Sequence, residues 1–89
     1  MKGTLTRIID GDTFCVNRKV DGTNKIRLEN VNAPERSSIG GPKATNILRG
    51  LIGGQTVTIN PVGRSYDRIV AKVSNERKSI NKRMIEKGY

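Results

Sequence analysis

There is no histidine in this chain, so imidazole is excluded both as a metal ligand and as a proton carrier near neutral pH. Cys15 is the single cysteine, which rules out an intramolecular disulfide and, with histidine absent, removes the usual ligands of zinc. Its neighbours Phe14 and Val16 assign Cys15 to packing. Aromatic residues are almost as scarce: Phe14, Tyr66 and Tyr89 are the full set, too few for a stacking platform that reads single strands. No apolar run approaches the ~18–20 residues of a membrane-spanning helix, and Met1-Lys2-Gly3-Thr4 lacks the apolar block of a signal peptide. A soluble chain with no membrane partner is expected, cytoplasmic or, if processed from a precursor, secreted.

What the chain has in excess is positive charge. Seventeen Lys and Arg stand against eight Asp and Glu, a formal charge of +9 on 89 residues. Such a field raises the local concentration of polyanions, and nucleic acid, DNA or RNA, is the natural partner. The basic pairs Arg18-Lys19, Arg77-Lys78 and Lys82-Arg83, with Lys25 and Lys72, read as a diffuse steering field. Five of the eight acidic residues, Asp10, Asp12, Asp21, Glu29 and Glu35, fall between positions 10 and 35. A basic protein that concentrates its carboxylates in one window is building a cation or proton-transfer site.

At this length a single domain buries only ~60–65% of its unfolded surface, so a small barrel or bundle is the ceiling. Residues 4–9 and 13–17 are β-rich and separated by Asp10-Gly11-Asp12, which suits a tight turn. Residues 24–31 alternate, with Ile26 and Leu28 on one face and Arg27 and Glu29 on the other, and Asp21-Gly22 marks a hairpin before them. After an irregular stretch, Asn32 to Gly41, Pro42 opens a helix whose stripe is Ala44, Ile47, Leu48, Leu51 and Ile52. Gly53-Gly54 should end it. Strands are expected at 55–60 and 68–73, broken by Pro61-Val62-Gly63, and a last helix at about 80–87 carries Ile80, Met84 and Ile85. The fold class is mainly β: five strands in the order of an OB-fold Greek-key barrel, with a helix between strands 3 and 4 and a short C-terminal helix.

Phosphodiester hydrolysis needs an activated water, a divalent cation on a phosphate oxygen and positive charge facing the equatorial oxygens. Asp12, on the turn after the first strand, is the best carboxylate for a hard cation, whereas Asp10 suits the turn itself. Arg27 presents a planar fork that can take two phosphate oxygens at once.

Seven blocks in order resemble the staphylococcal nuclease, or thermonuclease, family. They are Ile8-Ile9-Asp10-Gly11-Asp12-Thr13, Ile26-Arg27-Leu28, Asn32-Ala33-Pro34-Glu35, Gly41-Pro42-Lys43-Ala44, Tyr66-Asp67-Arg68-Ile69-Val70-Ala71, Ile80-Asn81 and Gly88-Tyr89. The resemblance implies a metal-dependent nuclease using Ca²⁺, with Mg²⁺ as the alternative, and a 3′-phosphate product. It implies Asp12, Asn32 and Ala33 as metal-holding positions, Glu35 as general base, Arg27 and Arg68 as phosphate-binding catalytic residues, and Tyr66 as an aromatic lining the nucleotide pocket. The plainer roles for these residues are turn formation by Asp12, a solvated Glu35, Arg27 and Arg68 paired with Glu29 and Asp67, and rim packing by Tyr66.

Four departures stand out. Asn32 replaces the usual aspartate of D-A-P-E, which removes one negative charge from the metal site. Asp67 replaces the glycine of Y-G-R and sets a carboxylate beside Arg68. The family's third helix has no counterpart, so beside the expected monomer a second copy or a partner chain is a further state. The loop between Glu35 and Gly41 is shorter than in the prototype. The alternative function is accordingly a catalytically weak or inactive OB-fold that binds nucleic acid by charge; a protein-interaction module is disfavoured because Asp12, Arg27, Glu35 and Arg68 occur together.

Overall fold

A computed structural model describes residues 1–52 and 55–89; the expected helix stop at Gly53-Gly54 lies outside the described residues. The elements are β1 (Lys2–Asp10), β2 (Thr13–Val20), β3 (Thr23–Leu28), α1 (Gly41–Ile52), β4 (Thr56–Ser65), β5 (Arg68–Asn75), β6 (Lys78–Ser79) and α2 (Ile80–Glu86). The strands form one sheet in the order β3-β2-β1-β4-β5-β6, and a parallel pairing of β3 with β5 closes the first five into a barrel. This is the expected OB-type barrel, with α1 between β3 and β4.

Period-two alternation builds the barrel wall. On β5, Ile69, Ala71 and Val73 point inward and are buried, while Arg68, Val70, Lys72 and Ser74 point outward. Phe14, Ile26, Leu28 and Ile59 are fully enclosed in the centre. The stripe of α1 is confirmed: Ala44, Leu48 and Ile52 are buried, and Ile47 and Leu51 pack partly against the core. Cys15 and Met84 are buried among the apolar residues, whereas Ile85 is exposed and takes no part in the core.

The parallel seam is short, joining Ile26, Arg27 and Leu28 to Ile69, Val70 and Ala71. Where it ends, the buried side chain of Asn81 stands in for a strand. Its amide nitrogen donates to the Ala71 and Glu29 carbonyls at 3.0 Å each, and its oxygen accepts the Val73 N–H at 2.8 Å. The start of α2 is thus fastened to the backbone of β5 and to the Glu29 carbonyl just after β3.

Three expectations need correction. The sequence Pro61-Val62-Gly63 does not break the chain: β4 runs through it to Ser65, with a register shift between Pro61 and Gly63. A bulge tolerates the missing proline N–H, and at this position Pro61 faces solvent. The third strand stops at Leu28 rather than 31, because Asn30 takes a left-handed φ of 62°. A two-residue strand, β6, is added against the end of β5.

Candidate active site

One end of the barrel gathers the β1–β2 turn, the end of β3, the start of β5 and the loop from Asn32 to Gly40. Asp10 pairs with Thr13 across the turn, and the Asp12 carbonyl accepts the Leu28 N–H at 2.8 Å, joining the turn to the end of β3. Gly11 is required here: a β-carbon at that position would lie 2.7 Å from those of Ala33 and Ala44. Gly41 is required for the same reason, since a β-carbon there would overlap the Glu35 carbonyl. Two glycines therefore let the loop carrying Asn32, Ala33 and Glu35 lie flat between the turn and α1. The loop is tied at both ends. The Asn32 N–H donates to the Tyr89 carbonyl at 3.0 Å, and the Ser38 N–H and hydroxyl both donate to the Glu35 carbonyl, at 2.9 and 2.8 Å.

Asp12 is 7% exposed and is held on every side. Its Oδ1 accepts the Thr13 hydroxyl at 2.9 Å; its Oδ2 accepts the Ala33 N–H at 3.1 Å and an Arg27 guanidinium N–H at 3.5 Å. The same Arg27 nitrogen donates to Asn32 Oδ1 at 2.9 Å, while the other terminal nitrogen donates to the Leu28 carbonyl at 3.1 Å. The structure therefore brings Asp12, Arg27, Asn32 and Ala33 together. Arg27 pairs with Asp12 rather than with Glu29.

Asp10 Oδ1 accepts the Asp12 N–H at 3.3 Å, the turn-forming role expected of it. Burial, and next the neighbouring Asp12 carboxylate, push the Asp10 pKa up to about 6. Asp10, Glu35, Arg36 and Arg68 line one open cleft of ≈ 580 Å³. Arg68 is anchored twice, by Nε on Asp67 at 3.4 Å and by a terminal nitrogen on the Thr13 hydroxyl at 3.3 Å. Asp67 also binds Lys25 at 2.7 Å, and that ammonium holds its carboxyl below the usual range. Tyr66, with φ at 55°, is 95% exposed on the β4–β5 turn, so it packs on no barrel rim.

Thr13 is the member that reasoning from sequence missed. It reads as a strand former, yet it is fully buried and its hydroxyl donates to Asp12 while accepting from Arg68. The signal available was a hydroxyl residue directly after a two-aspartate turn.

The model of the staphylococcal nuclease homologue family matches residues 25–89. The chain belongs to the staphylococcal nuclease family. Over 97% of its length, this staphylococcal nuclease domain is 34% identical to an uncharacterized endonuclease of Escherichia coli, and it covers 57% of that protein. A Haemophilus influenzae protein of the same description is 32% identical over 94% of the domain, with 48% of its own length covered. Endonuclease YhcR of Bacillus subtilis is 32% identical over 99% of the domain, which accounts for 8% of that protein. The chain thus spans about half the length of the first two relatives. Of the seven staphylococcal nuclease blocks, the family match covers those after Lys25, and the relatives align with the β1–β2 turn as well.

Among the described residues, no group of three or more His, Cys, Asp and Glu is gathered to hold a metal ion. The oxygens gathered about Arg27 are fewer and hard: the carboxylate of Asp12 and the amide oxygen of Asn32, which accept from the same guanidinium nitrogen. That chemistry fits an oxygen-seeking dication. No helix among the described residues is long and apolar enough to cross a membrane.

Proposed function

We propose that this domain is a nuclease that hydrolyses phosphodiester bonds of DNA or RNA in the cleft between Glu35 and Arg68. The observation that carries the reading is that cleft: an exposed glutamate and an arginine pinned at two points line it together, in a chain of the staphylococcal nuclease family. Glu35 takes a proton from water, whose oxygen attacks phosphorus; the bond to the 5′ oxygen breaks, that oxygen takes a proton from solvent, and a 3′-phosphate remains. Arg68 and Arg27 face the phosphate, where their charge counts most as the transition state gains negative character. Tyr66 meets the nucleotide from the β4–β5 turn.

A divalent ion, Ca²⁺ or Mg²⁺, would be held by Asp12, Asn32 and the Ala33 carbonyl, and when bound it supplies Lewis-acid charge beside the phosphate. Asn32 leaves that site one charge short, which favours the second reading: a domain that binds nucleic acid and cuts it slowly, if at all. Digestion of DNA and RNA with and without Ca²⁺, beside a Glu35→Gln control, separates the two. The nuclease reading expects cleavage that the control loses by about 10²–10³. Cleavage by purified Glu35→Gln at the wild-type rate would remove Glu35 as the base, and wild-type protein that binds without cutting would favour the second reading.

A further inference from the structure

The three ion pairs found among the described residues, Arg27 with Asp12 and Asp67 with both Lys25 and Arg68, all lie at the cleft end of the barrel. At the cleft, Arg68 is matched by a carboxylate, as are Lys25 and Arg27 near it, whereas Arg36 is in none of these pairs, and most of the surplus that makes the chain +9 lies elsewhere. Part of it borders a groove. Along the outward face of β4 and β5 runs a second concavity of ≈ 510 Å³, lined by Thr58, Asn60, Lys72, Ser74 and Ser79 and floored by Met1, Ile59 and Val73, with no carboxylate in its wall. Lys78 precedes Ser79 and pairs in register with Asn75 at the far end of β5. Lys2, on β1, sits opposite Thr58. All three lysines are exposed, and none is in an ion pair among the described residues.

The groove and the cleft share no lining residue, but one strand, β5, carries a cation of each. Arg68 and Lys72 point outward from the same face of β5, and the strand then leads to Lys78. Eight residues of strand cover about 23 Å, the length of some seven nucleotides of a stacked strand at ~3.4 Å of axial rise each. Three hydroxyls, an amide, the Lys72 ammonium and the chain's terminal amine, with Lys2 and Lys78 nearby and no carboxylate, give the polar part of this wall a preference for a polyanion over a cationic ligand.

We propose that the outward face of β4 and β5 is a second contact surface for the sugar–phosphate backbone, holding the strand whose scissile phosphate lies in the cleft. This rests on the proposed function for the identity of the cleft. The surface grips long substrates and is out of reach of short ones.

The test is fluorescence anisotropy with single-stranded phosphorothioate oligonucleotides of 24 and 4 nucleotides, which resist cleavage. It compares the wild-type chain, the Lys72→Gln/Lys78→Gln double variant and an Arg49→Gln/Lys87→Gln double variant of equal charge on the helical side. The groove variant should lose roughly tenfold in affinity for the 24-mer, and its salt slope should flatten by about 1.4, two phosphates at ~0.7 each. Its affinity for the 4-mer should stay within about twofold, and the helical-side variant should hold the 24-mer far better. Equal losses in the two variants, or equal losses on the two lengths, would overturn the proposal in favour of a diffuse field. Binding that depends on the groove in a protein that cleaves neither plain DNA nor plain RNA sinks the nuclease reading and leaves the groove standing. Cleavage accompanied by binding indifferent to Lys72 and Lys78 does the reverse.

Discussion

At the scale of single residues, the site is governed by which carboxylates are satisfied. Asp12 accepts three hydrogen bonds and keeps its charge matched by Arg27, whereas Asp10 has its pKa raised by burial and by Asp12. A native pKa near 6 against an unfolded value of 3.8 means that the unfolded chain holds the proton less tightly. Between these two pH values Asp10 therefore makes folding less favourable as pH rises. Asp10→Asn is accordingly expected to raise the melting temperature in the presence of a chelator, by more at pH 7.5 than at pH 4. A shift that is equal at the two pH values would show that Asp10 is unperturbed. Asn32 tests the opposite face of the same balance. Its amide oxygen lies on the same guanidinium nitrogen as Asp12 Oδ2, so Asn32→Asp would set a second carboxylate at the position proposed for a dication. Calorimetric titration with Ca²⁺ should then show binding tightened by roughly 1–2 kcal/mol, one partly solvated charge against the dication. Equal affinities would remove position 32 from the ligand set.

At the scale of elements, Asn81 has the largest structural task for one polar side chain. It satisfies the Val73 N–H and two carbonyls, and so closes the barrel where the parallel seam runs out. Asn81→Leu takes their side-chain partner from the Val73 N–H and the Glu29 carbonyl, while the Ala71 carbonyl keeps the Glu29 N–H, and should cost about 2–4 kcal/mol in urea unfolding, because buried polar groups are expensive to orphan. A loss under ~1 kcal/mol would mean that water replaces the amide. Features set by local periodicity were legible in advance: the stripe of α1, the inward Ile26 and Leu28, and the turns at Asp10-Gly11-Asp12 and Asp21-Gly22. Features set by a distant partner were not. Pro61 and Gly63 read as a break, yet pairing with β5 carries the strand through them as a bulge, and β6 exists only because Asn75 and Ser74 lie beside it. In the site, the nearness of Asp12, Arg27 and Asn32 follows from motif order. The Thr13 link to Arg68 and the packing demands on Gly11 and Gly41 depend on how the turn, the loop and α1 stack.

At the scale of the whole molecule, charge and size act together. The body measures 32 × 28 × 21 Å, two to four screening lengths of ~8–10 Å at physiological salt. The cations at the cleft and Lys2, Lys72 and Lys78 of β1, β5 and β6 are then separate fields at physiological salt, but they merge at low salt into one potential of net charge +9. With so few aromatic rings, binding has little stacking to draw on and must come from phosphate contacts and the counterions they release. Affinity for nucleic acid should therefore vary little with base sequence and fall steeply with salt. With ~3–5 phosphates neutralised, a linear dependence of log affinity on log salt gives a loss of tenfold or more between about 50 and 200 mM. Filter binding or anisotropy across that range, on two oligonucleotides of unrelated sequence and equal length, checks both halves. A binding constant flat in salt would rule out the electrostatic account, since three aromatic rings offer little stacking to replace it.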